Sequence, residues 1–204
     1  MINYDCSDIF KNRGYFYNNV FNLLFVGRIE EDKGVFELID ALIKLKNESH
    51  FLFKARFVGS GKSKDKLEKL VINNNLSENI EFLGSVSDPE LLKKLYLKSD
   101  ILVLPTYHEG FPRVLYESMI FGVAIITSFV GGIPFLMKNN KNCLKIDVKS
   151  SDSIFCNVIK LCSDISLISY LTTNSYADIT LYLSKNSKTH LELLLHSLGG
   201  NDVE

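Results

Sequence analysis

The sequence is poor in the residues that mark specialised chemistry. Its 204 residues hold four cysteines, four prolines and four histidines. Cys6, Cys143, Cys156 and Cys162 have neither the paired spacing of a metal site nor the density of a secreted disulfide scaffold, which points to a reducing compartment. There is no charge excess: 23 Lys and Arg against 24 Asp and Glu leave a formal net charge of -1, so no general electrostatic footprint exists for nucleic acid or an anionic membrane. Any anion site must be local. No Asp-x-Asp pair occurs, which removes the usual cue for a divalent ion bridging a nucleotide diphosphate, and a metal-free site is expected. No Gly-x-Gly-x-x-Gly follows the first apolar run, where Gly27-Arg28-Ile29-Glu30 stands, which argues against a Rossmann dehydrogenase. The least polar window, Gly122 to Met137, is broken by Gly and Pro and is too short to span a bilayer. Met1 to Asp8 lacks a basic stretch followed by an apolar one, so no secretory signal is expected. The expected location is cytoplasmic, with any membrane contact made at the inner face through a partner.

What is present is an alternation of short apolar runs with amphipathic stretches, in a chain that is 46% hydrophobic. This is the pattern of an α/β protein. Strands are expected at Phe21 to Val26, Phe51 to Val58, Asn79 to Leu83, Ile101 to Leu104, Val123 to Thr127 and Cys143 to Ile146. Helical spacing links Val35, Leu38, Ile39 and Leu42, then Leu67, Leu70 and Val71. A third helix over Pro89 to Lys98 opens behind Asp88 as N-cap, with Leu91, Leu92 and Leu95 as its inner face. Pro112 suits the first turn of a fourth. Beyond Ser150 the pattern is helical, with one stripe at Ile154, Val158, Ile159 and Cys162 and another at Leu191, Leu194, Leu195 and Leu198. The expected fold is a doubly wound parallel sheet. A polar leader or linker covers 1–20, the sheet domain 21–150, and packing helices of the same domain 151–204.

Chemistry concentrates in the loops that follow strands. Arg28 and Lys33 leave the sheet together, where two cations could clamp a diphosphate while Gly27 and Gly34 allow close backbone approach. The same loop also reads as a solvated turn whose cations are neutralised by Glu30, Glu31 and Asp32. Gly59-Ser60-Gly61 after the second strand fits either a ligand or an ordinary tight turn. The interleaved Lys62, Lys64, Lys66 and Lys69 read as a solvated helix face. His108 stands beside Glu109 without a second His at metal-ligand spacing, so a structural role fits it best. Glu109 lies in the loop after the fourth strand and Glu117 eight positions on, in the second turn of the following helix. That junction is the usual ligand position of open α/β sheets. Gly131-Gly132-Ile133-Pro134 could turn backbone N–H groups toward the same crevice, or could be a plain turn.

In this order, these segments together with Ile80 to Gly84 and Ser99 to Pro105 resemble the C-terminal donor-binding domain of the GT-B glycosyltransferases of family 4, the "glycosyl transferases group 1" type. The resemblance runs from about Asn22 to Ile146. It implies transfer of a sugar from a nucleoside-diphosphate sugar to a glycan or glycolipid, with retention of configuration. Arg28 and Lys33 would hold the diphosphate, Glu109 would lie near the transferred sugar, and these three would form the catalytic group. Glu117 would accept bonds from the ribose. Gly110 and Phe111 would present N–H groups, Leu83 and Gly84 would flank the base, and Gly27, Gly59 and Pro112 would complete the donor site. No metal or other cofactor is implied. Two departures accompany the resemblance: Phe135 stands where the family carries Glu, and the twenty or so residues before the first strand cannot form the acceptor domain of a GT-B enzyme. The implied partner is an N-terminal-domain chain or a second copy. The alternative reading is a nucleotide-sugar-binding module without catalysis.

Overall fold

The computed structural model describes residues 20–185 except Phe111. The leader up to residue 19, Cys6, the second tail stripe from Leu191 to Leu198, and Phe111 therefore lie outside the described residues. Six strands form one parallel sheet: β1 (Val20–Val26), β2 (Leu52–Val58), β3 (Ile80–Gly84), β4 (Ile101–Leu104), β5 (Ala124–Ser128) and β6 (Leu144–Ile146). Their order is β3-β2-β1-β4-β5-β6. The chain winds outward from β1 through β2 to β3, then returns to the other side of β1 for β4. The crevice between the carboxyl ends of β1 and β4 is thus the topological switch point.

The middle strands are apolar on both faces because both faces are covered. On one side pack α1 (Val35–Glu48), α2 (Lys64–Asn73) and α6 (Ser151–Ser163). Helix α1 supplies Val35, Leu38, Ile39, Leu42 and Leu45, a stripe at helical spacing that is removed from water. On the other side pack α3 (Pro89–Leu97), α4 (Arg113–Ile120) and the four-residue α5 (Ile133–Leu136). The last helix among the described residues, α7 (Ile165–Lys185), reaches both sides of the sheet: Ile168 and Leu171 join the first core and Ile179 the second. The doubly wound α/β fold is as expected, as is helix over 151–185, where Ile154, Val158 and Cys162 face the core.

Three details differ from the sequence expectation. On α3 the buried stripe is Leu95 and Tyr96, with Leu91 exposed, because Tyr96 stacks on Phe121 with ring centroids 5.6 Å apart. Pro112 is the N-cap of α4 rather than part of its first turn, and its extended backbone at ψ 114 sets the helix to begin at Arg113. Gly131-Gly132-Ile133-Pro134 is more than a turn: Gly132 is the N-cap of α5. Asp88 caps α3 as expected, its carboxylate accepting from the Glu90 N–H at 3.0 Å.

Candidate functional site

The loops at the carboxyl ends of β1, β2, β4 and β5 are tied to one another by their backbones. After β1, Gly27 donates to the Val58 carbonyl at 2.9 Å and Ile29 to Ser60 at 2.8 Å, so the β1 loop runs on along the end of β2. Gly59 sits directly on the Gly27 carbonyl and donates to Gly84 at 2.8 Å, joining three of the expected donor residues in one layer. A single 3₁₀ turn, Glu31–Lys33, then closes on Gly34. Gly34 has φ +67, and a Cβ there would lie 2.1 Å from the Pro105 carbonyl oxygen. Only glycine lets the β1 and β4 loops approach this closely. Gly131 does the same from β5: at φ +53, a Cβ would stand 1.7 Å from the Glu109 carbonyl oxygen. Next to it, Gly132 donates to Gly110 at 3.0 Å.

This frame brings Lys33 and Glu109 together. Lys33 Nζ lies 2.7 Å from Glu109 Oε2 and donates to the His108 carbonyl at 3.2 Å. The side chains are 12% and 21% exposed, so the pair is half-sheltered but reachable. The Tyr107 N–H donates to the Asp32 carbonyl at 2.8 Å, and Thr106 Oγ1 to His108 at 2.9 Å. His108 thus serves through its backbone. Arg28 behaves differently: its side chain is 59% exposed and its guanidinium donates to Glu30 at 2.5 Å and Asp32 at 3.0 Å. The two cations of the charged loop therefore part company. Lys33 is built into the crevice, while Arg28 is neutralised by its own loop.

Glu117 is not at the open mouth. It is 4% exposed, on the inner side of α4, and its Oε2 accepts from Tyr96 Oη at 2.6 Å. Burial pushes the Tyr96 hydroxyl well above its ordinary pKa, and the adjacent Glu117 carboxylate pushes it further. A hydrogen bond to a charged acceptor in such surroundings contributes about 1.5–3 kcal/mol. Tyr96 is the residue that reading the sequence missed. Two signals pointed to it: the Leu92, Leu95, Tyr96 spacing, and a carboxylate within Val114-Leu115-Tyr116-Glu117, which needs a donor once buried.

Leu83 is half-buried against the second core, and no atom lies within 4 Å of a Cβ built on Gly84. Pro112 is buried at the N-cap of α4 and Gly110 accepts from the Gly132 N–H, while Phe111 lies outside the described residues. Phe135 is 83% exposed on α5, the helix tied to Gly110, and rims a cleft of about 260 Å³ lined by Leu136, Leu181 and Tyr182. Among the described residues no group of three or more His, Cys, Asp or Glu is placed to hold a metal ion. No single helix among them is long and apolar enough to cross a membrane.

The family model "Glycosyl transferases group 1" matches residues 8–178. The chain belongs to that family. A relative in Methanocaldococcus jannaschii, an uncharacterized glycosyltransferase, is 34% identical over 157 residues, covering 77% of this chain and 40% of the relative. The chain spans less than half the length of the curated relatives it matches. Among solved structures, the C-terminal domain of a glycosyl transferase group 1 family protein (LpcC) from Francisella tularensis is similar. It has a TM-score of 0.73 and 28% identity over 79% of this chain and 85% of that one. HepE of Anabaena, solved with UDP and glucose, has a TM-score of 0.74 at 22% identity over 93% of this chain and 52% of its own. The group 1 glycosyltransferase family is thus shown by sequence, and the GT-B type of fold by structure.

Proposed function

We propose that the chain is the donor-binding half of a retaining glycosyltransferase. It would receive a nucleoside-diphosphate sugar at the carboxyl ends of β1 and β4 and transfer the sugar to a glycan or glycolipid held by a second domain or a partner chain. The observation that carries this reading is the Lys33–Glu109 pair, a cation from one half of the sheet and a carboxylate from the other, meeting at the switch point. The likeness to the C-terminal domain of LpcC supports the assignment to the donor half, and the neighbour solved with UDP and glucose supports the ligand class.

In this reading the Lys33 ammonium neutralises charge that develops on the departing nucleoside diphosphate as the bond between the anomeric carbon and the phosphate oxygen breaks. Glu109 accepts from sugar hydroxyls, and the new glycosidic bond forms on the same face of the ring as the acceptor hydroxyl gives its proton to the departing phosphate oxygen. Arg28 reaches the phosphates by leaving Glu30 and Asp32. Exposed pairs of this kind contribute only about 0–1 kcal/mol, so a doubly charged phosphate competes for the guanidinium at little cost. Glu117 has one oxygen committed to Tyr96, and a ribose contact would use the other. No metal is required, since the cationic work falls to Lys33 and Arg28.

The test is thermal melting of the chain with UDP, GDP, ADP and their sugars, in wild type and Lys33→Ala. A ligand at a hundred times its dissociation constant adds roughly 2.7 kcal/mol. Stabilisation by one nucleotide series, lost in Lys33→Ala, is expected. A wild-type chain that no nucleotide stabilises even at millimolar concentration would sink the reading.

A further inference from the structure

Three side chains outside the donor roles converge on the loop that carries Glu109. Tyr107 Oη donates to Glu37 Oε1 at 2.5 Å, linking the loop after β4 to the first turn of α1, seventy positions earlier in the chain. The other Glu37 oxygen, Oε2, is buried and accepts no bond from any described residue. A buried carboxylate oxygen with its acceptor capacity unused is costly for stability alone, so its presence here calls for a different explanation. The Lys149 ammonium lies over the Tyr107 ring, 5.0 Å from its centroid. Lys149 has φ 60, a left-handed conformation uncommon for a lysine, in the loop between β6 and α6. Tyr107 is thus gripped at its hydroxyl, at its ring and, through its N–H to Asp32, at its backbone. Two residues on is Glu109, and the Asp32 that accepts the backbone bond precedes Lys33.

We propose that Tyr107, held by Glu37 and Lys149, is a positioning residue that sets the loop between β4 and α4 so that Glu109 meets Lys33. The inference rests on reading Lys33 and Glu109 as donor contacts, but the arrangement itself is present without a ligand and can be tested without one. Backbone contacts at Pro105, Glu109 and Gly110 tie the loop at both ends, and a hydrogen bond from Tyr107 to a distant helix narrows the alternatives left between them.

The experiment uses nuclear magnetic resonance of the whole chain labelled in its lysines, following the Lys33 ammonium signal. Lys33→Arg identifies the signal by its disappearance, and Glu109→Gln defines its position when the ion pair is broken. Tyr107→Phe keeps the ring and loses the hydroxyl. It is expected to move the Lys33 signal most of the way toward the Glu109→Gln position and to speed amide exchange at Tyr107 by roughly tenfold. Glu37→Leu should do the same, whereas Glu37→Gln, which still offers an acceptor, should leave the signal at its wild-type position. A Lys33 signal unmoved in Tyr107→Phe overturns the proposal, and so does an equal shift in Glu37→Gln and Glu37→Leu. Nucleotide melting on the same samples reports separately. If the Lys33 signal moves as expected while no nucleotide stabilises wild type, the positioning role stands and the donor-site reading falls.

Discussion

Glu109 and Glu117 stand eight residues apart and lie in opposite surroundings. Glu109 is in a loop, partly exposed, and faces a cation delivered from the far side of the switch point. Glu117 is on a helix, sealed from water, and faces a tyrosine hydroxyl. The first arrangement can exchange its partner for a ligand, since both members of the pair are reachable. The second cannot do so without exposing a core residue. The same side chain is therefore an ion-pair partner in one region and a buried hydrogen-bond acceptor in the other, and the difference comes from the partners that tertiary packing supplies.

The largest way to break this contrast is Tyr96→Phe, which leaves the buried Glu117 carboxylate without its donor. A loss of about 2–3 kcal/mol in unfolding free energy is expected by denaturant titration, against less than about 1 kcal/mol for Glu109→Gln. Equal losses in the two variants would show that the regions do not differ as described. An intermediate effect sharpens the comparison within the β1 loop. Lys33→Ala should weaken nucleotide-sugar binding at least about tenfold by calorimetry, and Arg28→Ala only about threefold, because Arg28 must first leave two carboxylates. The reverse ranking would make Arg28 the principal cation.

A third contrast concerns burial without ion pairing, and near neutral pH its effect vanishes. Burial pushes the thiols of Cys143 and Cys162 up to about 12 from an ordinary 9.0. As pH rises past the ordinary value the unfolded chain loses these protons first, so the folded state binds more protons and stability falls from about pH 9 toward 12. Stability measured across that window should decline less steeply in the Cys143→Ala, Cys162→Ala double variant. An unchanged slope would assign the decline to other groups.

Much of the fold was legible in the sequence because its signals are local. All six strands appear within about a residue or two of the apolar runs that announced them, and Asp88 and Pro89 marked the start of α3. The α3 face was read less well: Leu91, Leu92 and Leu95 satisfy the helical period as well as Leu92, Leu95 and Tyr96 do. Only the position of Phe121 across the interface chooses the second set. In the site, Lys33 and Glu109 were both legible as candidates, but their meeting was not. The two are 76 positions apart and belong to different halves of the sheet. The Tyr96–Glu117 and Tyr107–Glu37 bonds were invisible for the same reason, at separations of 21 and 70.

The sequence by itself determined the alternation of strand and helix, the doubly wound class and the loops in which charge could gather, because hydrophobic period, caps and glycines act over a few residues. The tertiary structure decided which charges pair: Lys33 with Glu109, Arg28 with its own loop, and Glu117 with Tyr96. The physical reason is range. A helix or strand is specified by its own residues, whereas an ion pair or a buried hydrogen bond exists only once distant segments have been brought within about 3 Å.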